Sequence, residues 1–174
     1  MSKKLLVVVD MQVDFITGAL GTKEAAAIVP AVVERIKKAQ ALGEDIIFTM
    51  DTHGEDYLAT QEGAKLPVEH CIKGTDGWRL HPEIEPLSKG HTVIEKPGFG
   101  STTLGELGRN YDRTTVIGLC TDICVISNAF VLKAFNPELF VNVDPRLCAG
   151  VTPESHQRAL DTMAMAQVGI IEEA

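Results

Sequence analysis

The sequence predicts an α/β fold with three layers, in which helices cover both faces of a mostly parallel sheet. Short apolar runs rich in β-branched residues recur along the chain, and amphipathic helical patterns separate them. Such alternation is typical of right-handed βαβ units and of a Rossmann-like architecture. The six predicted strands are KLLVVVD, EDIIFTM, HTVIEK, TTVIGL, LFVNVD and VGIIE.

Two connecting helices have recognisable ends. In PAVVERIKKAQALG, Pro30 is predicted at the first helical position and Gly43 at the C-terminus. Near the end of the chain, Thr152 before a proline and a glutamate predicts a second helix start. The inward positions of that helix are predicted to be Leu160, Met163 and either Met165 or Ala164.

Composition restricts the class of protein. The 174 residues are predicted to form one domain, residues 1–174, with a single core. The net charge is −8 and the basic residues are scattered, which argues against a nucleic acid or an anionic membrane as partner. The early apolar run LLVVV is too short for a signal peptide or a membrane helix, so we expect a cytoplasmic protein that acts on a small molecule.

Residues 51–90 lack a strong strand or long helix pattern, and we predict a long loop there. Loops of this length within a domain are more often functional than idle. Asp51 and His53 lie two residues apart, so on an extended backbone they face the same side and can share a Zn, Mn or Fe ion. His70 and Glu62 can complete the set. The alternative is a polar loop in which these residues only form hydrogen bonds.

Three further groups fall at predicted strand ends. Asp10 ends the first strand, Lys96 ends the third, and Cys124 follows the fourth. Ligands bind beyond the carboxyl ends of parallel strands, so these side chains are expected at one edge of the sheet. Taken alone, Asp10 is best interpreted as a turn cap, Lys96 as a solvated charge and Cys124 as an inert buried thiol. Together they indicate a nucleophile, with a helix N-terminus and a lysine expected to lower the thiol pKa.

The other cysteines suggest no second chemistry. Four cysteines in a cytosolic chain of this size do not indicate a disulfide framework. Cys120 lies four residues before Cys124, which is neither the CxxC redox spacing nor a four-cysteine metal pattern. A redox pair or a cysteine–metal site therefore stays a minor alternative.

Several segments together resemble the isochorismatase-like cysteine hydrolases and, within that family, the nicotinamidases. The resemblance extends over nearly the whole chain, and it implies an isochorismatase-like hydrolase fold. It also implies hydrolysis of nicotinamide to nicotinate and ammonia through a cysteine thioester. The segments that carry it are VVVDMQVDF, DTH, LPVEHCIKGTDGWRLHPEI, EKPGFGSTTL, VIGLCTDICV and CAGVTPESHQRAL.

The same resemblance implies roles for individual residues near the nucleophile. Asp10, Lys96 and Cys124 form the implied catalytic triad. A cis peptide bond between Leu119 and Cys120 is also implied, and it directs the backbone N–H groups of Cys120 and Cys124 into an oxyanion hole.

A divalent metal is the implied cofactor, with no organic cofactor. Its implied ligands are Asp51, His53 and His70, with Glu62 as a further candidate. The resemblance also implies a homo-oligomer.

The chain departs from the nicotinamidase pattern at the expected substrate pocket. Leu66 stands where many nicotinamidases have Trp, and PGFGSTT replaces a longer acidic or aromatic segment. Phe15 and Phe99 are the remaining aromatic candidates for the pocket wall. This weakens nicotinamide as substrate, but not hydrolysis.

Three alternatives stay open beside a nicotinamidase. The chain can act on another small amide, a carbamoyl or a ureido compound. A true isochorismatase is disfavoured because it has no need of the cysteine. A non-catalytic metal-binding scaffold of the same fold is the alternative from another class.

Overall fold

The fold is seen in a computed structural model that describes residues 2–171. Within these residues, six strands form one sheet: β1 (Lys4–Val9), β2 (Asp45–Asp51), β3 (Thr92–Lys96), β4 (Arg113–Leu119), β5 (Phe140–Ala149) and β6 (Gly169–Ile170). Their order is β3-β2-β1-β4-β5-β6, and all neighbours are parallel. The predicted α/β class and its six strands are confirmed. Residue 172, at the end of the sixth predicted strand, lies outside the described residues.

Helices cover both faces of the sheet, as predicted. They are α1 (Val13–Ile16), α2 (Lys23–Leu42), α3 (Gln61–Lys65), α4 (Glu85–Ser88), α5 (Thr102–Gly108), α6 (Ile126–Phe135) and α7 (Pro153–Met165). A 3-10 turn (Tyr57–Ala59) and a π-helical turn (Thr121–Val125) accompany them. In residues 2–171, no helix combines the length and apolar character that crossing a bilayer requires.

The start of α2 differs from the prediction. The helix begins at Lys23, and Pro30 lies inside it instead of at its first position. The hydroxyl of Thr22 caps the true start by accepting the Ala25 N–H at 3.0 Å. The additional turns bury apolar side chains, which offsets the hydrogen bond that proline cannot donate. Gly43 ends the helix with φ 66°, as predicted.

The start of α7 is confirmed, whereas part of its inward face is wrong. Thr152 caps the helix by accepting the Ser155 N–H at 3.1 Å. Leu160 and Met163 are buried as predicted, but Met165 is 88% exposed and Ala164 is exposed too. The helix ends at Met165, and Val168, just beyond it, is buried instead.

The strand order places a topological switch point between β1 and β4. From this point the chain builds outward in opposite directions, and the crevice beyond the carboxyl ends is the usual ligand site of such sheets. Both strands are almost wholly buried, so the crevice has a rigid floor. The predicted loop begins one residue later than expected, because Asp51 still belongs to β2. Residues 52–90 pass over this edge, with only the 3-10 turn, α3 and α4 as helical structure.

Close packing of β4 against β1 requires glycine at position 118. Gly118 has φ 115°, and a Cβ there would lie 2.1 Å from the Val9 carbonyl oxygen. The register between β4 and β5 also shifts between Val116 and Gly118. The irregularity lies directly before the segment that carries Cys124, so it helps to set the position of that turn.

Gly118→Ala is expected to lower the free energy of unfolding by about 3 kcal/mol or more, because it adds a clash with backbone to an unfavourable φ. Gly43→Ala is the matched control, since Gly43 also has positive φ but has no atom within 4 Å of the added Cβ. It is expected to cost only about 1 kcal/mol. Urea unfolding measures both, and equal losses would contradict the packing argument.

Candidate active site

Asp10 follows β1 at the carboxyl edge of the sheet. Its φ of 48° lies in the left-handed region, which is uncommon for residues other than glycine. Thr49 holds it through two bonds: the Thr49 carbonyl accepts the Asp10 N–H at 3.1 Å, and the Thr49 hydroxyl donates to Asp10 Oδ1 at 2.6 Å. The fully buried carboxylate is thereby fixed with its second oxygen towards Lys96.

Lys96 ends β3 and places a buried ammonium at the centre of the site. Its Nζ lies 2.7 Å from Asp10 Oδ2 and 3.3 Å from Asp51 Oδ1. It also donates to the Gly98 carbonyl at 3.0 Å and lies 3.4 Å from Cys124 Sγ. Burial alone would lower the pKa of Lys96, but the surrounding negative charges raise it well above its usual range. The ammonium therefore stays charged.

Cys124 lies within the π-helical turn that follows β4. The peptide bond between Leu119 and Cys120 is cis. The carbonyl of Cys120 accepts the N–H groups of Ile123 (3.1 Å) and Val125 (3.0 Å), and neither bond uses the N–H of Cys124. The turn thus places the Cys124 sulfur at the side of the crevice.

The electrostatics of the thiol differ from the expectation of a lowered pKa. Burial raises the pKa of Cys124 well above its usual value, the Asp10 charge raises it further, and Lys96 opposes both. Burial likewise raises the pKa of Asp10, against the effect of Lys96. Loss of a proton from the pair is disfavoured, whereas its transfer from sulfur to carboxylate leaves the net charge unchanged.

A cluster of four donors lies beside this group. Asp51, His53, Glu62 and His70 each offer one ligand atom, and these atoms all lie within 4.8 Å of one another. His53 Nε2 is 2.9 Å from Asp51 Oδ2 and 3.8 Å from Glu62 Oε1. His70 Nε2 is 3.6 Å and 3.7 Å from the same two oxygens.

These separations fit a metal ion. Four donors placed tetrahedrally at about 2.1 Å from zinc lie about 3.4 Å apart, close to the mean of the observed spacings. Burial raises the pKa of Asp51, but its contacts with both imidazoles and with the Lys96 charge bring it well below its usual range. An ionised carboxylate with two imidazoles and a second carboxylate suits Zn, Mn or Fe.

Tyr57 braces both imidazoles. Its ring centroid lies 4.7 Å from that of His53 and 4.9 Å from that of His70. Its hydroxyl donates to the Leu66 carbonyl at 2.9 Å. His70 is held further by a hydrogen bond from Nδ1 to the Val68 carbonyl at 2.8 Å, which leaves Nε2 free for a metal.

Gln12 positions the backbone of Asp51. Its Oε1 accepts the Asp51 N–H at 2.7 Å, and its Nε2 donates to the carbonyls of Asp51 (2.8 Å) and Trp78 (2.7 Å). The side chain is fully buried and bonded at both ends of its amide. Its amide therefore bonds both the N–H and the carbonyl of Asp51, as the backbone of a neighbouring strand would, and fixes the end of β2.

Asn128 performs a similar task at the nucleophile. Its Nδ2 donates to the carbonyls of Cys124 (2.8 Å) and Phe99 (3.1 Å), and its Oδ1 accepts the Ser101 N–H at 3.0 Å. The buried amide ties the turn before α6 to the loop after β3. The sulfur and one wall of the crevice are held by the same side chain.

A cavity of about 730 Å³ opens over the sulfur and the four donors. Phe15, Leu66 and Phe99, the predicted pocket residues, all line it, together with Cys120 and Cys124. Asp10 and Lys96 are not among the lining residues of the described chain and lie behind the sulfur. The structure thus brings together every predicted site residue, although their roles stay predictions.

Sequence reasoning missed the residues that orient these groups. Gln12, Thr49, Tyr57 and Asn128 carry no reactive group, and their roles depend on distant partners. The available signals were weak: Gln12 is a polar residue three positions after the apolar run LLVVV, and Tyr57 is the first aromatic residue after the D-x-H pattern. All four cysteines are free.

Asp10→Asn is expected to shift the pH profile of Cys124 alkylation to lower pH by at least about one unit. The substitution removes a negative charge that raises the pKa of the thiol and leaves the Lys96 charge in place. Mass spectrometry resolves each cysteine separately, and Cys148, whose pKa burial raises to about 12 without a contribution from Asp10, serves as the internal control. An unchanged profile at Cys124 would contradict the electrostatic coupling.

Comparisons with known proteins agree with this geometry. Residues 4–173 match the isochorismatase domain family. A nicotinamidase/pyrazinamidase of Mycobacterium tuberculosis is 29% identical over 97% of this chain and 98% of its own. A pyrazinamidase of Pyrococcus horikoshii in complex with zinc superposes with a TM-score of 0.84 at 29% identity, covering 98% and 99% of the two chains.

A second similar structure is that of the N-carbamoylsarcosine amidase of Thermoplasma acidophilum. Its TM-score is 0.78 at 26% identity, and the match covers 97% of this chain and 95% of that one. Sequence, fold and site residues lead to one assignment: the chain belongs to the isochorismatase family.

Proposed function

We propose that this protein is a metal-assisted cysteine amidohydrolase, with nicotinamide as its first candidate substrate. The observation that carries the proposal is the contact of Cys124 Sγ with a buried ammonium, which itself contacts Asp10, beside four convergent metal donors. The similarity to a nicotinamidase/pyrazinamidase over almost the full length of both chains supports the choice of substrate.

In the proposed first half-reaction, Asp10 takes the proton of the Cys124 thiol and Lys96 stabilises the thiolate. The sulfur attacks the amide carbonyl, a C–S bond forms, and the carbonyl electrons move onto oxygen. The N–H groups of Cys120 and Cys124 donate to this oxyanion, an effect worth about 3 kcal/mol per donor. The C–N bond then breaks, and Asp10 returns the proton to the departing ammonia.

In the second half-reaction, water cleaves the thioester. The oxygen of a water molecule attacks the thioester carbonyl, and Asp10 accepts a proton from that water. The C–S bond breaks, the acid is released, and the proton passes from Asp10 back to sulfur. The pair of Asp10 and Cys124 ends each cycle with the one proton with which it began.

The residues at the donor cluster fit the proposed cofactor. Asp51, His53, Glu62 and His70 would hold a divalent ion, for which zinc is the first choice. When bound, the ion would supply a Lewis acid for the lone pair of a ring nitrogen and so would help to orient the substrate. Phe15, whose ring lies 5.6 Å from that of His70, is placed to contact the ring of the substrate.

A carbamoyl or ureido amide is the second candidate substrate. The similarity to an N-carbamoylsarcosine amidase favours it, because such a compound presents the same carbonyl and the same leaving ammonia. A panel of nicotinamide, pyrazinamide and N-carbamoyl amino acids separates the two candidates by kcat/KM.

We further propose that residues 1–174 act as one domain in a reducing compartment such as the cytoplasm. The family match over residues 4–173 and a shared buried core support the single domain. Four unpaired cysteines are consistent with the compartment. The homo-oligomer stays a prediction.

Cys124→Ala is expected to lower kcat/KM for ammonia release from nicotinamide by at least about a thousandfold, since it removes the attacking atom. Cys120→Ala keeps the backbone N–H and is expected to stay within about tenfold of the wild type. Equal activity of the two variants would contradict the assignment of the nucleophile.

His53→Ala is expected to weaken zinc binding by at least about a hundredfold, because it removes one of four donors. Elemental analysis after dialysis against a zinc buffer measures the bound metal directly. His91→Ala is the matched control, since His91 lies outside the cluster and contacts Gln40. Equal zinc content in the two variants would contradict the proposed metal site.

A further inference from the structure

The cavity is larger than a single-ring amide requires. Its volume of about 730 Å³ falls within the range of roughly 300–1,000 Å³ that is typical of sites for drug-sized ligands. The sulfur and the donor cluster lie at its buried end, where Cys124 and His70 are nearly inaccessible. A ring held at that end leaves the outer part of the cavity unfilled.

The outer part has an apolar wall that faces solvent. Leu66 is 37% exposed, Phe99 is 45% exposed and Val151 is 51% exposed, and all three line the cavity. We call these residues the apolar mouth. Among the lining residues of the described chain, Lys65 is the only charged side chain outside the donor cluster. The mouth therefore favours an apolar group over an ionic one.

Each residue of the apolar mouth stands on an anchored backbone. Tyr57 Oη donates to the Leu66 carbonyl at 2.9 Å. The Phe99 carbonyl accepts a bond of 3.1 Å from Asn128 Nδ2, which also donates to the Cys124 carbonyl at 2.8 Å.

Val151 is anchored in a comparable way. Its N–H donates to both carboxylate oxygens of Asp122, at 3.2 and 3.3 Å. Each of the three loops is thus hydrogen-bonded to a segment that also contacts or contains residues of the candidate active site. Exposed apolar side chains on fixed backbones form a preorganised surface, which lowers the entropic cost of binding.

We propose that the apolar mouth is a substrate subsite, and that the substrates are primary amides bearing an alkyl or aryl substituent beyond the amide-bearing ring. The inference rests on the proposed amidohydrolase function and specifies its substrate class. Each methylene moved from water onto an apolar wall is worth about fourfold in binding. Because the wall keeps partial contact with water, the three methylenes by which a butyl group exceeds a methyl group are expected to add about tenfold in total.

The test is ammonia release from nicotinamide and from nicotinamides carrying methyl, ethyl or butyl groups at each free ring carbon in turn. For one attachment position, kcat/KM is expected to rise by about tenfold from methyl to butyl. A butyl chain ending in a hydroxyl should lose most of the gain, since it carries a polar group onto the wall.

Two variants locate the effect. Val151→Ala is expected to reduce the butyl-to-methyl ratio of kcat/KM at least about twofold, because it removes part of the wall. Val93→Ala is the matched control: Val93 is 42% exposed, lies on β3 and is not a lining residue of the cavity. This control is expected to leave the ratio unchanged.

The outcomes separate the two proposals. If nicotinamide is hydrolysed and kcat/KM stays flat or falls with chain length at every position, the subsite is overturned and the amidohydrolase stands. If no compound releases ammonia, both proposals fail. If Val151→Ala changes the oligomeric state in sedimentation and leaves the ratio unaltered, the mouth is a contact between copies of the chain, and the subsite is overturned.

Discussion

The site depends on one buried ammonium. Lys96 is 1% exposed and contacts two carboxylates, a carbonyl and the sulfur of Cys124. A charge so deeply buried is tolerated only when it is paired and hydrogen-bonded. Asp10 on one side and Asp51 on the other meet that requirement, so the nucleophile and the donor cluster share a cation. Loss of this cation would leave the buried Asp10 carboxylate without its counter-ion.

The fold was accessible from the sequence because its signals are local. Apolar β-branched runs, the Thr152 cap and Gly43 each act within a few residues, and each is found as predicted. The errors arose where tertiary burial outweighed a local rule. Pro30 sits inside α2 because the preceding turn buries apolar side chains, and Met165 is exposed because the chain turns into β6.

The reactive residues were also accessible, since parallel strands bring their carboxyl ends to one edge. That rule needs only the order of strands and the residues that follow them. The orienting residues were not accessible in this way. Gln12 acts on Asp51 and Asn128 acts on the loop of Phe99, and such pairings between distant segments have no signature in one chain. The thiol pKa was misjudged for a related reason, because burial, which the sequence does not report, outweighs a nearby cation.

Tyr57 links the geometry of the candidate metal ligands to the shape of the cavity wall. Its ring packs against both imidazoles, and its hydroxyl fixes the carbonyl of Leu66 in the cavity wall. A substitution that reshapes the wall near Leu66 will therefore also disturb the ring planes of His53 and His70. During divergence of related enzymes, substitutions near Leu66 would therefore change metal preference and substrate range together.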